Sequence, residues 1–377
     1  MDTTAGETPS WSELMLATRR CSRCIMPGVP GHLDLDEDGI CPCCRQFEQT
    51  NSTKDACDGS RDSSSRRDEA MLRKKIDRFR TDGPYDCAVA VSGGKDSLGV
   101  WHLARKLGLK TLGIFIDNGF ALPEMYENIQ RAADVLDSDV MVYRTTRMKR
   151  LFRTLLASRR PIYYCHICHI LLDNCVKDVA RSQGIGLVLG GYTKGQNYLR
   201  QGELDWIFRI TDRNLADVLA GDESFADVVQ MVCDPFHYAL EHYRGITELS
   251  TYRYLDYDED EIVALVKNEL HFEEPTDSWP ARSTNCLFNY VSQYLAVRQF
   301  GYSQHETELS DLTRVGEMSR EHALETICTP IEDEQLAQAL AFLEDEHALT
   351  FLKDEMESAL DQKAAPSNTD DTSRRNG

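Results

Sequence analysis

The 377-residue chain has no apolar run approaching the roughly 18 residues that a membrane-spanning helix requires, so no membrane role is expected. Residues 1–20 lack the positive start and long apolar stretch of a secretory signal. Basic residues are in deficit, with 42 Lys+Arg against 62 Asp+Glu and a formal net charge of −20. That deficit weakens general attraction to a phosphate backbone, the main source of non-specific nucleic-acid affinity, and argues against a nucleic-acid partner. Internal repeats are absent. So is the P-loop pattern G-x-x-x-x-G-K followed by Ser or Thr.

Cysteine, by contrast, is plentiful: 13 residues, odd in number and clustered. Without an export signal, metal binding or catalysis fits them better than disulfides, and a cytoplasmic location follows. Cys21, Cys24, Cys41 and Cys44 form two C-x-x-C knuckles. Four thiolates at that spacing suit a closed tetrahedral zinc site able to hold a segment with no core of its own. Cys43 is spare, and the acidic run at 34–39 reads as a turn between the knuckles.

The stretch around which the chain is organised is Ser92-Gly93-Gly94-Lys95-Asp96-Ser97. An apolar run at 85–91 predicts a buried strand before it, and apolar spacing over 98–107 predicts a helix after it. A strand, glycine turn and helix start make an anion site, because the first helical N–H groups are unpaired and point at the ligand. Asp96 in the first turn could cap the helix or hold Mg²⁺. The plain alternative is a tight turn with no ligand. The hexapeptide resembles the Ser-Gly-Gly-x-Asp-Ser signature of the PP-loop ATP pyrophosphatases, which implies ATP cleavage between the α- and β-phosphates.

Strands are expected at 111–116, 140–143 and 186–189, and helices at 123–136, 148–158 and 170–183. Strand and helix alternating in this way predict an α/β fold with a doubly wound parallel sheet, its ligands at the carboxyl ends of the strands. Asp117 and the Gly190-Gly191-Tyr192 loop should then share the crevice of Ser92 to Ser97. Asp117 suits a nucleotide contact or a turn equally, and Lys194 either a phosphate contact or plain solvation. Residues 252–257 read as a strand or extended segment. The domain reading is a poorly ordered 1–20, a zinc-knuckle module 21–48, a linker 49–70, a nucleotide domain 71–250, a helical C-terminal region 251–362 and a disordered tail 363–377.

Three blocks carry a wider resemblance. They are the knuckle ending in Cys41-Pro42-Cys43-Cys44, the glycine loop, and a C-terminal series. That series is Cys286-Leu287-Phe288, Tyr294-Leu295, Phe300-Gly301-Tyr302 and Arg314-x-Gly316-x-Met318-Ser319-Arg320-Glu321-His322-Ala323. Together they resemble the N-acetyl sugar amidotransferases of surface-polysaccharide synthesis. The resemblance implies a PP-loop fold of the adenine nucleotide alpha hydrolase type. It also implies ATP, Mg²⁺ and Zn²⁺ as cofactors and a small sugar-like acceptor. The acetamido oxygen would be adenylated and displaced by ammonia from a glutaminase partner.

Around the substrate the chain departs from that family. It has Cys165-His166-Ile167-Cys168 where Cys-His-x-Gly is common, and Gly190-Gly191-Tyr192 where Gly-Glu-Asn is common. Cys165 and Cys168 with the distant Cys286 resemble the cysteine trio of PP-loop tRNA thiolation enzymes, which implies an iron–sulfur cluster or a sulfur carrier fed by a sulfur-donor protein. A structural metal or plain core thiols are the alternatives. The trio is expected to converge beside the α-phosphate. His166 and His169 could be ligands, acid–base groups or structural, and Cys175 reads as core. A homo-oligomer is compatible with the sequence.

Overall fold

Short apolar runs alternating with amphipathic ones give a parallel sheet covered by helices. A computed structural model describes residues 11–54, 61–193, 202–280 and 285–343. Helices α1 (Trp11–Ala17), α2 (Pro42–Lys54) and α3 (Arg61–Ile76) precede the sheet. The chain then runs β1 (Cys87–Ala90), α4 (Lys95–Lys106), β2 (Thr111–Asp117), α5 (Pro123–Leu136), β3 (Asp139–Arg144), α6 (Arg147–Ala157), α7 (Tyr164–Ser182) and β4 (Leu187–Gly190). Helices α8 (Asp205–Val218), α9 (Ala226–Cys233) and α10 (Pro235–His242) lead to β5 (Thr247–Ser250) and α11 (Glu259–Leu270). The C-terminal part is α12 (Phe288–Phe300), α13 (Gln304–Val315), α14 (Arg320–Ile327) and α15 (Asp333–Ala341).

The strands pair in parallel in the order β3-β2-β1-β4-β5. The chain leaves β1 toward β2 on one side and returns to β4 on the other, so the order reverses between β1 and β4. A crevice opens at such a reversal, outside the carboxyl ends of the strands. β2 is buried along its whole length, as a central parallel strand should be. β3, at the edge, is mostly exposed.

Helix α12 is buried on nearly every face. A helix of that kind belongs inside the molecule, and its polar side chains must find partners there. Asn289, Ser292 and Gln293 are those side chains: Asn289 and Gln293 line a cavity described below, and Ser292 Oγ accepts from the Cys165 amide at 3.2 Å. Phe288 closes the cavity floor with Phe120, Phe152 and Tyr164, at ring-centroid distances of 5.0, 4.5 and 5.5 Å.

Several elements differ from the sequence expectation. Within 1–20, the described residues form α1, anchored by Trp11, whose Nε1 donates to the Ile327 carbonyl at 3.1 Å and whose ring meets Trp279 edge-on at 5.5 Å. Local composition gives no sign of this, because the partners lie some 300 residues away. The stretch 49–70 is helical wherever it is described. The strand expected within 252–257 is β5 at Thr247–Ser250. Tyr252 and Tyr257 instead turn their hydroxyls toward Asp96. Helix α7 begins at Tyr164 rather than 170, placing Cys165 and Cys168 in its first turns rather than ahead of it. Lys194, most of the charged stretch after 343 and the tail lie outside the described residues.

Candidate active site

The glycine loop sits at the sheet reversal. Gly93 adopts a φ of +81°, and a Cβ there would lie 2.5 Å from the Met125 carbonyl oxygen. A Cβ on Gly94 would meet Asn285 Nδ2 at 2.5 Å. Only glycine allows both the turn and the close approach. Ser97 Oγ accepts from the Ser92 amide at 3.1 Å and donates to the Gly94 carbonyl at 3.0 Å, tying the loop to the first turn of α4. Asn285 Nδ2 donates to Ser92 Oγ at 2.9 Å, so the C-terminal part touches the loop directly.

Ser92, Asp96, Ser97, Gly190, Gly191 and Asn285 line an open crevice of about 200 Å³. Asp96 is held from several sides. Tyr257 Oη donates to Oδ1 at 3.0 Å, Lys95 Nζ donates to Oδ2 at 2.8 Å, and Tyr252 Oη donates to its carbonyl at 3.1 Å. Lys95 is buried between Asp96 and Glu259, whose Oε1 is 3.2 Å away. Burial opposes its charge, but the two carboxylates outweigh burial and raise its pKa. Its side chain turns to these carboxylates and is not part of the crevice lining, as the sequence reading of it as an ATP contact would require. Asp117 is likewise turned away. Its Oδ1 accepts from the Gly119 amide at 2.8 Å and its Oδ2 lies 3.1 Å from Arg144 Nε, so of its two readings it takes the turn.

A second cavity, about 190 Å³, adjoins the crevice. Leu172 borders both, and the neighbours Asn285 and Cys286 divide between them. Cys165, Cys168 and Cys286 all line this second cavity. Gln293 Nε2 donates to Cys165 Sγ at 3.5 Å, and Asn118 Nδ2 donates to Cys168 Sγ at 3.5 Å. Burial pushes the thiols up: Cys165 to about 12, Cys286 to about 11 and Cys168 well above its ordinary value. Burial also lowers His169 and His305 to about 4, so both imidazoles are neutral at pH 7. No Lys, Arg, Asp or Glu is among the described lining residues. His166 points elsewhere and stacks on Phe208 at 3.8 Å. Cys175 packs beside the sheet, partly buried.

The knuckle cysteines form a different site. Cys21 and Cys44 Sγ are 3.9 Å apart, Cys24 and Cys41 Sγ 3.7 Å, and all four lie within 4.8 Å of one another. Tetrahedral zinc with Zn–S bonds of about 2.3 Å needs sulfurs about 3.8 Å apart, so the donor set fits that ion. Cys43 stays outside and meets Glu203 at 3.4 Å. Among the described residues the trio does not reach this mutual spacing. The C-terminal block Arg314 to Ala323 acts on the knuckle: Arg314 donates to Cys24 Sγ at 3.6 Å, and Arg320 Nε to the Cys24 carbonyl at 2.9 Å.

Sequence reasoning missed Asn118, Asp173, Tyr257, Glu259, Asn285, Asn289, Gln293, Gln304 and His305. Polar residues inside the otherwise apolar run of α12 were the available signal for Asn289 and Gln293.

Residues 86–157 match the family model described as a phosphoadenosine phosphosulfate reductase domain. Residues 284–371 match that of an LPS biosynthesis protein WbpG-like, C-terminal domain. The tRNA-5-methyluridine(54) 2-sulfurtransferase of Thermotoga maritima is 28% identical over 130 residues, 33% of this chain and 42% of that one. The chain thus matches less than half the length of this relative. Among solved structures, the U34-tRNA thiolase NcsA from Methanococcus maripaludis with its 4Fe-4S cluster is 14% identical, with a TM-score of 0.38 over 87% of this chain and 89% of that one. The NMN synthetase from Francisella tularensis is 13% identical, with a TM-score of 0.38 over 76% and 97%. The matched reductase domain spans the Ser-Gly-Gly-Lys-Asp-Ser turn at the sheet reversal, so the similarity to PP-loop proteins rests on the part of the chain that forms the crevice.

Proposed function

We propose that the protein uses ATP, with AMP and pyrophosphate as products, to adenylate a carbonyl or amide oxygen of a small sugar-like acceptor and replace it with nitrogen. One observation carries this reading. The stretch that resembles an LPS biosynthesis protein supplies Cys286, Asn289, Gln293, Gln304 and His305, which wall the cavity beside the glycine loop. The neutral lining suits an uncharged reacting group.

An amide oxygen is a poor leaving group until it is adenylated. The loop N–H groups and the start of α4 face the phosphates and stabilise pyrophosphate as it leaves. Asp96 would hold Mg²⁺, which neutralises phosphate charge. Cys21, Cys24, Cys41 and Cys44 would hold zinc, which orders the N-terminal module. Nitrogen would come from an ammonia-supplying glutaminase partner.

The three thiols on the cavity wall favour a second reading, sulfur transfer to a carbonyl or nucleobase from a sulfur-donor protein. The similarity to a tRNA sulfurtransferase supports it. Cys165, Cys168 and Cys286 would then hold an iron–sulfur cluster that delivers sulfur, with Asn118 and Gln293 donating hydrogen bonds to the sulfurs. The charge of −20 weighs against a tRNA acceptor.

Product analysis tests both readings: AMP and pyrophosphate are expected, and ADP with phosphate overturns them. Asp96→Ala is expected to abolish turnover. Iron content and the absorbance spectrum of anaerobically purified protein identify the second reading in its cluster form, and a persulfide assay on Cys165, Cys168 and Cys286 identifies it in its sulfur-carrier form.

A further inference from the structure

One face of α7 forms the wall between crevice and cavity. Cys165, Cys168 and His169 line the cavity, Leu172 lines both, and Asp173 and Val176 line the crevice. These positions follow the i, i+3, i+4, i+7, i+8, i+11 pattern of a single helical stripe. An acceptor adenylated in the crevice and attacked from the cavity side therefore reacts along this stripe.

Asp96 and Asp173 are the carboxylates of the crevice lining. Both Asp96 oxygens have close partners, Tyr257 at 3.0 Å and Lys95 at 2.8 Å. Asp173 is held differently. Lys177 Nζ anchors its Oδ2 at 3.0 Å and is itself fixed by Glu248 Oε2 at 2.9 Å, while Oδ1 accepts the long 3.5 Å contact from Tyr192 Oη. One oxygen is clamped and the other faces a weak donor that an incoming N–H can replace. Tyr192 also touches His169 edge-on at 4.9 Å, so it contacts both the cavity side and the crevice side of the stripe.

We propose that Asp173 is the proton acceptor of the second half-reaction, a role that rests on the transfer reading above. The nitrogen lone pair forms the C–N bond to the adenylated carbon. Asp173 takes one N–H proton from the resulting ammonium adduct. The electron pair so released expels AMP, which leaves with the C–O bonding pair, and the carboxyl passes its proton to solvent. An S–H nucleophile would lose its proton to the same oxygen.

The test uses the full-length protein with a 2-acetamido sugar nucleotide, UDP-N-acetylglucosamine, as acceptor probe and ammonium chloride as nitrogen source. Exchange of labelled pyrophosphate into ATP reads the first half-reaction, and amidine product reads the whole. Asp173→Asn is expected to keep exchange within about threefold and to lose about 10²- to 10⁴-fold in product formation, the usual contribution of a positioned base. Asp173→Ala should regain product formation when formate is added, which a merely structural role would not produce. Product formation unchanged in Asp173→Asn overturns the proposal. So does parallel loss of exchange and product, or failure of formate to restore product in Asp173→Ala, since Asp173 would then serve only ATP binding or folding. Wild-type protein showing neither exchange nor product with the probe overturns the amide-transfer reading itself, and the proposal with it.

Discussion

In the knuckle, paired sulfurs lie 3.7 and 3.9 Å apart, and the backbone amides of Arg23, Met26, Cys41 and Cys44 donate to them at 3.3–3.5 Å. In the cavity, the three sulfurs stay apart; Cys165 and Cys168 take the side-chain carboxamides of Gln293 and Asn118 as donors, while Cys286 also takes backbone donors from Phe288 and Asn289. Backbone donors come with the local turn, so two C-x-x-C pairs suffice to build a closed site. Side-chain donors must be brought in from the turn after β2 and from α12. A site built that way stays open and can receive a substrate, at the cost of depending on the whole fold.

The largest effect expected is loss of metal from the closed site. Structural zinc contributes about 10–16 kcal/mol to small modules that fold around it. Cys21→Ser should therefore lower zinc content from near one equivalent to near zero and unfold the N-terminal module, leaving nucleotide affinity largely intact; elemental analysis with ATP titration checks both. Full zinc retention would remove the contrast between the two sites.

Next in size is the open site. On the sulfur-transfer reading, in which the thiols act after ATP cleavage, a Cys165→Ser, Cys168→Ser double variant should still adenylate, yet form product about 10²- to 10⁴-fold more slowly. Pyrophosphate exchange against product yield measures the split. Undiminished product formation would make the cavity thiols as passive as those of the knuckle.

Arg314 ties the knuckle to α13. It contacts Cys24 and forms a buried pair with Glu203 at 3.1 Å, with Asp311 beside it. Arg314→Met leaves an uncompensated buried carboxylate and should cost about 3–5 kcal/mol. Denaturant unfolding monitored together with zinc release should show the loss, with zinc released before the nucleotide domain unfolds.

The smallest effect concerns His305, on the cavity wall. Burial lowers its pKa from 6.5 to about 4. Between those values the unfolded chain binds more protons than the native one, so stability is lost as pH falls from 6.5 toward 4, by up to about 3 kcal/mol. His305→Gln should flatten this part of the stability–pH curve, measured by urea unfolding at a series of pH values.

Much of the site was legible locally. The hexapeptide marked the phosphate loop, and the paired C-x-x-C spacing marked the knuckle, because in both a few adjacent residues complete the geometry. The fold class followed from strand–helix alternation. Three features did not follow. The first turns of α7 were read as loop, since their helical start rests on packing against α12 rather than on a cap. Asp117 and Lys95 stood in the right motifs, but partners from β3 and α11 drew their side chains away from the crevice. Asp173 looked like an ordinary helix-surface acid paired with Lys177.

Sequence alone therefore determined the glycine turn, the four-sulfur set and the parallel sheet, each governed by spacing within a few residues or by hydrophobic period. Tertiary structure decided the rest. Cys286 lies 118 residues beyond Cys168, and only the packing of α12 against α7 seats both on one cavity. Likewise, only the sheet reversal between β1 and β4 sets that cavity beside the glycine loop. Contacts over such separations depend on burial and chain topology, and neither is written in the local order of residues.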